Sequence, residues 1–280
     1  MIKNQVALLV HTSDRYRLLY QGFVYFFNKY WDWKIPFNYY FATEEINVDL
    51  QGFKNIKSGK GEWTDRLRNL LDQIDEEYVI YFQEDMWLNK PVSEAFFTEL
   101  PDLTIRNDWK QVKLNSSDVF KTANTSQFIQ GFNVARIDNK VSKYLMSHQV
   151  TLWNKQFLKA QLIPSENPWR NERRGTARLK KLDPPIYHID YFAENGYPAI
   201  NNNAPEITRS EYRTISSNAS LNDSAVPFIE ELENDRKLEE YAAILQNHYN
   251  HKLTHDGNEK PLKKDVFKRF KDWFKQLFSK

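Results

Sequence analysis

The chain has 280 residues, a net charge of +2 and no cysteine. A balance this close to neutral carries no electrostatic signature of a nucleic-acid binder, and the missing thiols exclude disulfides, thiolate metal sites and cysteine nucleophiles. Hydrophobic residues, at 41%, suffice for one large α/β domain or a domain with an appendage, and fifteen Tyr with eight Trp suit a cleft that stacks on planar or sugar rings.

The N-terminal apolar run is five residues long, too short for a signal-peptide core. No stretch approaches the ~20 apolar residues of a membrane span. The expectation is a soluble, cytoplasmic protein, or one held to a surface from one side.

Val6 to Val10 reads as a buried strand, closed by His11-Thr12-Ser13-Asp14. Ser13 or Asp14 can cap the helix that follows, whose apolar residues Leu18, Leu19, Phe23, Phe26 and Phe27 recur at helical spacing. Strand, polar loop and helix N-terminus form the opening of nucleotide-binding α/β domains, where loop and helix face the ligand. An ordinary cap serving only the helix is the plainer alternative. Neither GxGxxG nor GxxxxGK[ST] occurs at this turn, which argues against a Rossmann dehydrogenase and a P-loop NTPase.

Phe37 to Thr43 reads as a second strand and Phe53 to Lys57 as a third. After a turn-rich loop, Thr64 or Asp65 opens an amphipathic helix with Leu67, Leu70, Leu71 and Ile74 on one face. Arg66 and Arg68 lie in its first turn, where cations oppose the helix dipole; they are solvated charges or contacts to a diphosphate. Tyr78 to Phe82 is a short apolar β-rich run, followed without a spacer by Gln83-Glu84-Asp85. Ligands bind at the carboxyl ends of strands in open α/β sheets. Adjacent acids there call for a positive partner, and a divalent cation with oxygen ligands fits.

Val92 to Leu100 is helical in pattern, Trp109 to Leu114 and Phe128 to Val134 read as strands, and Gly131 marks a bulge or a close approach to ligand. His148 to Leu152 reads as a strand and Trp153 to Leu162 as a helix stopped by Pro164. Pro168 suits the first position of another helix, with Asn167 or Ser165 as its cap. Glu166 and Glu172 flank that start and are candidate general bases for an acceptor hydroxyl, while Trp169 can stack on a sugar face. Capping or surface acids and a core aromatic are the bland alternatives. Pro184 to Ile189 reads as a last strand.

The expected organisation is a catalytic domain over 1–195, a polar loop or linker over 196–227, a helical extension over 228–260 with a surface helix from Phe228 to His248, and a distinct tail over 261–280. The tail places Val266, Phe267, Phe270, Trp273, Phe274, Leu277 and Phe278 on one helical face and six Lys and Arg around the other. That is the pattern of a helix lying in an anionic membrane surface, a packed helix or dimer contact being the alternative.

The blocks Ser58 to Leu88 and Leu152 to Gly175 resemble bacterial GT-A-type glycosyltransferases, in particular a group found with surface-polysaccharide genes. The resemblance spans roughly Val6 to Asp190 in element order and leaves the tail uncovered. It implies a GT-A-like Rossmann-type mixed sheet flanked by helices. It also implies a nucleotide-sugar donor, a divalent cation (Mn²⁺ or Mg²⁺) and a glycan or lipid-linked acceptor, with the protein at the inner face of the cell membrane. Asp85, with Glu84, then stands at the D-x-D metal position, although Gln83-Glu84-Asp85 lacks its first Asp. His11, Thr12 and Asp14 fall where donor base and ribose bind, and Arg66 near the diphosphate. A non-catalytic sugar- or nucleotide-binding subunit of a polysaccharide complex is the main rival, and a nucleotidyl- or phosphoryl-transferase the third.

Overall fold

The computed structural model describes residues 5–200 and 207–259. The tail over 261–280 therefore lies outside the described residues, as does part of the expected linker. The chain opens with β1 (Val6–His11), a 3₁₀ turn (Asp14–Leu19) and α1 (Tyr20–Tyr30), then β2 (Asn38–Thr43), β3 (Lys54–Lys57), α2 (Trp63–Leu71) and β4 (Tyr78–Gln83). There follow β5 (Met86–Leu88), α3 (Glu94–Arg106), β6 (Gln111–Asn115), β7 (Thr122–Ile129), β8 (Phe132–Ile137), β9 (Thr151–Asn154), α4 (Lys155–Gln161) and α5 (Pro168–Leu182). The last part holds β10 (Ile186–Glu194), β11 (Ser210–Thr214), a small hairpin of β12 (Ser216–Ser217) and β13 (Ser220–Leu221), α6 (Val226–Glu233) and α7 (Glu239–Asn250).

The main sheet runs β3-β2-β1-β4-β9-β6-β10-β11-β5, with β8 also on β10 and β7 on β8. The β3-β2-β1-β4 half is parallel, and β9 enters antiparallel between β4 and β6. Strands β1 and β4 are apolar throughout because both faces are covered. Leu8, Val10, Ile80 and Phe82 face a core built with α1, α3, α6 and α7. Ala7, Leu9, Val79 and Tyr81 face a second core built with α2, α4 and α5. This is the Rossmann-type mixed sheet flanked by helices that the resemblance implies. No helix among the described residues is long and apolar enough to cross a membrane.

The two residues between β4 and β5 fix the shape of the sheet. They span at most about 10 Å, yet β4 sits mid-sheet and β5 is its last strand. The sheet must curl so that its far edge returns to the carboxyl end of β4. Gly22 on α1 makes the closure possible: a Cβ there would fall 2.1 Å from the Trp87 ring of β5.

Four expectations change. Phe128 to Val134 is not one strand but the centre of a hairpin, because Gln130 and Gly131 both take positive φ (48° and 82°), the conformation of a two-residue hairpin turn. The strand expected over His148 to Leu152 forms three residues later. The surface helix expected over Phe228 to His248 is two helices, α6 and α7, with Phe228, Ile229, Leu232, Tyr241 and Leu245 buried in the core. The stretch read as a linker contains β11, which joins the sheet between β10 and β5. Its Glu211 is 4% exposed and tolerated because Asn89, Lys90 and Arg213 all reach its carboxylate.

Candidate active site

Strands β1 and β4 are parallel neighbours in a register that pairs His11 with Gln83. Their carboxyl ends therefore open side by side, where a crevice forms above an α/β sheet. His11 to Ser13, Gln83 to Asp85, the His148-Gln149 approach to β9, the start of α5 and the turn of the β12–β13 hairpin enclose a cleft of about 660 Å³. His11, Thr12, Arg66, Glu84, Asp85, Trp169 and Glu172 all line it; Asp14 and Glu166 do not.

The acidic pair occupies the bend between β4 and β5. Glu84 is buried, and Oδ1 of Asp85 is buried with no hydrogen-bond partner. Burial pushes the Asp85 carboxyl up to about 7, against a backbone hydrogen bond that lowers it and with a smaller push from Glu194. Glu84 is driven well above its usual range by burial and by Asp85, with a backbone hydrogen bond and Arg66 opposing. Two such acids retain a proton until a cation neutralises them. Among the described residues no three His, Asp or Glu side chains converge as a metal cage. The fit is of another kind, in which one or two carboxylates hold a cation whose remaining positions go to water and substrate phosphates. The orphaned Asp85 oxygen meets that description.

Asp14 is fully occupied elsewhere. Its two oxygens accept from the backbone N–H groups of Glu44, Glu45 and Ile46. Glu44 answers by accepting from Ser13 Oγ and the Asp14 N–H. Asp14 thus pins the end of β2 to the loop after β1, and the helix cap expected of it or of Ser13 does not form. Arg66 is buried, bonded to Glu44 Oε1 at 2.7 Å and to the Thr12 carbonyl at 3.3 Å. It contributes a fixed positive charge to the cleft wall, although not as a free guanidinium. The expected opening of α2 shifts too: Glu62 is at the cap position, and Thr64 instead exchanges hydrogen bonds with the backbone of Glu166.

One wall combines imidazoles with an indole. The Trp63 ring lies 5.4 Å from that of His11 and 4.1 Å from that of His148. Burial keeps both histidines neutral, His148 down to about 3. His11 Nδ1 contacts the Tyr81 hydroxyl, and its Nε2 has no partner. Glu172 accepts the His148 backbone N–H at 3.1 Å and lies 3.5 Å from His148 Nδ1. With the imidazole neutral this second contact is no ion pair. Asn171 donates its amide to Gln161 and Glu166, so its oxygen is left to accept from His148 Nε2–H. That tautomer turns the bare Nδ1 toward Glu172. Burial raises the Glu172 carboxyl above its ordinary value, with the His148 backbone N–H and Lys113 opposing. It is a carboxyl in a cleft with no cation bonded to it, the state that suits a general base.

Glu166 is different. Arg178 donates to both of its oxygens at 3.0 Å, and Asn171 donates to one. Burial acts to raise its pKa, but Arg178, Asn171 and Arg174 outweigh it and hold the carboxyl below its usual range. Of the two caps expected for α5, Asn167 and Ser165, the helix uses Asn167. Glu166→Gln is therefore expected to cost about 2 kcal/mol of stability in urea unfolding, by leaving Arg178 without its anion. The folded pKa is depressed, so this contribution is present above the ordinary carboxylate range and is lost as pH falls below it.

Sequence reasoning missed Trp63, which closes a turn-rich loop between Glu62 and Thr64, His148, which reads only as the start of a strand, and the hairpin turn over 216–219, which lies in a polar stretch. It also overread the aromatics. Phe23, Phe27, Trp31, Phe53, Phe82 and Phe97 interlock between helices and sheet, and of the described Phe, Trp and Tyr residues the cleft takes Tyr16, Trp63 and Trp169.

Sheet order and cleft make this an α/β protein with a Rossmann-type mixed sheet and a crevice at the carboxyl ends of its parallel strands. No protein-family model matches the chain, and no curated protein does. Among solved structures it is similar to S. aureus TarS 1-349 in complex with UDP-GlcNAc, at 10% identity and a TM-score of 0.47, over 88% of this chain and 72% of that one. It is also similar to the longer S. aureus TarS, at 12% identity and a TM-score of 0.46, and spans 43% of that chain. A CMP:2-keto-3-deoxy-manno-octonic acid synthetase complexed with CTP follows at 13% identity and a TM-score of 0.39, over 67% of this chain and 89% of that one. Likenesses at this level assign no residue a role.

Proposed function

We propose that this protein is a glycosyltransferase that moves a sugar from a nucleotide-sugar donor to a glycan or lipid-linked acceptor, assisted by Mn²⁺ or Mg²⁺. The observation that carries the reading is the Glu84-Asp85 pair at the carboxyl end of β4, with Glu84 buried and one Asp85 oxygen buried and unpartnered, in one cleft with Glu172. Asp85 is the cation ligand, with Glu84 beside it. A bound cation supplies charge neutralisation at the leaving diphosphate. His11 and Thr12 line the end of the cleft that takes the nucleoside, where His11 Nε2 offers a neutral polar atom. Arg66 adds positive potential while staying anchored to Glu44. On the acceptor side, Trp169 stacks on the incoming sugar and Glu172 removes the proton from its hydroxyl. The proton passes to the carboxylate as the new glycosidic bond forms, and the bond to the nucleoside diphosphate breaks.

A panel of nucleotide sugars tested by thermal stabilisation, with and without Mn²⁺, checks this. The expected result is one donor that raises the melting temperature only with the cation and is slowly hydrolysed to nucleoside diphosphate. Stabilisation without any hydrolysis would favour the non-catalytic subunit, and pyrophosphate release from a nucleoside triphosphate would favour nucleotidyl transfer.

A further inference from the structure

Apart from Trp169, the outer surface of α5 has no part in the chemistry above. Arg170, Arg173, Arg174, Ala177 and Lys181 are all exposed and fall on one helical stripe, opposite the buried Gly175 and Leu179. Glu172 is the one acid of this helix, and it turns into the cleft. The stripe therefore presents four cations over a helix of 15 residues, about 22 Å long.

Apolar side chains flank it on both sides. Along one side runs the segment before β9, held by Lys180 to the Lys140 carbonyl and by Thr176 to the backbone of Met146. It exposes Val141 and Tyr144 together with Lys140 and Lys143. Along the other, Gln161 accepts from Asn171 and Arg178, which sets the exposed Ile163 beside the helix start. Trp169, 74% exposed, stands at the cleft end of the stripe and Leu182 at the other. Five of the nine large hydrophobics exposed among the described residues thus border this one helix, so their placement is not the even scatter of an ordinary surface.

We infer that this face of α5 docks on an anionic membrane surface. Cations drawn to lipid headgroups, with Trp, Tyr and aliphatic side chains level with them, are the composition of an interfacial contact. A soluble polyanion would engage the arginines but gain nothing from the exposed Val141, Ile163 and Leu182. Because Trp169 belongs both to this face and to the cleft wall, docking sets the cleft mouth at the headgroup level. The inference stands whether or not the cleft transfers a sugar, since it concerns binding alone.

Vesicle co-sedimentation of the full chain, and of the chain with 261–280 removed, tests it, with no donor present. Arg170→Gln/Arg173→Gln/Lys181→Gln should bind vesicles of phosphatidylcholine with about one-third phosphatidylglycerol on the order of a hundredfold more weakly than the unmodified chain, at an unchanged melting temperature. Ile163→Ser/Trp169→Ser should also weaken vesicle binding while leaving binding to inorganic polyphosphate as it was. Vesicle binding by the triple variant that equals that of its unmodified counterpart, both in the full chain and with 261–280 removed, would overturn the inference. So would equal losses of vesicle and polyphosphate binding in the apolar variant, since that would identify a soluble polyanion site.

Discussion

Asp85→Asn should leave the fold intact and lower cation-dependent donor turnover by roughly 10²- to 10³-fold, the scale of losing one electrostatic contact to developing charge. Its second signature is in stability. The Asp85 pKa is raised to about 7, so between the ordinary carboxylate range and that value the folded chain holds a proton the unfolded chain has released. Stability therefore falls as pH rises through this interval. A cation reverses the penalty, because only the ionised carboxylate binds it. Added Mn²⁺ at a hundred times its dissociation constant should then stabilise the native protein at pH 8 by about 2.7 kcal/mol, and the effect should vanish near pH 5. Asn at position 85 neither titrates nor attracts the ion, so the stabilisation should be lost at both pH values. Melting curves across pH, with and without Mn²⁺, read this directly. Undiminished Mn²⁺ stabilisation in the variant would move the cation site away from Asp85.

The sequence disclosed this site more readily than its surroundings, for physical reasons. Strands buried on both faces are uninterrupted apolar runs, so β1 and β4 could be read directly, along with the acids that end β4. Asn167-Pro168 marked a helix start through chemistry local to four residues. β11 was hidden because its burial depends on long-range partners: Glu211 lies at the sheet because Asn89 and Lys90, more than a hundred residues earlier, reach its carboxylate. The same holds for the two candidate bases. Glu166 and Glu172 are six positions apart and look alike in the sequence. Their difference comes from Arg178, three helical turns beyond Glu166, and from His148 on another segment. Composition could not show that most of the aromatic surplus fills a core between helices and a curled sheet.

That difference between the two acids leads to the second large effect. Glu172→Gln should retain nucleotide-sugar binding and lower the rate of transfer by roughly 10²- to 10⁴-fold, the usual worth of a positioned base. Gln can still accept the His148 backbone N–H, so the packing at the start of α5 survives the change and a fall in rate is not a fall in stability. The pH profile separates a base from a mere neighbour. At saturating Mn²⁺, Asp85 is held ionised by the ion, and a remaining acid limb in the transfer rate reports the carboxyl that must lose its proton to act. The Glu172 pKa is raised, so activity should fall as pH drops while still above the ordinary glutamate range, and the variant's residual rate should be flat there. An acid limb that survives in Glu172→Gln would place the base elsewhere. Glu194 is next in line: it is also raised by burial, but its carboxylate is bonded to Asn115 and does not line the cleft.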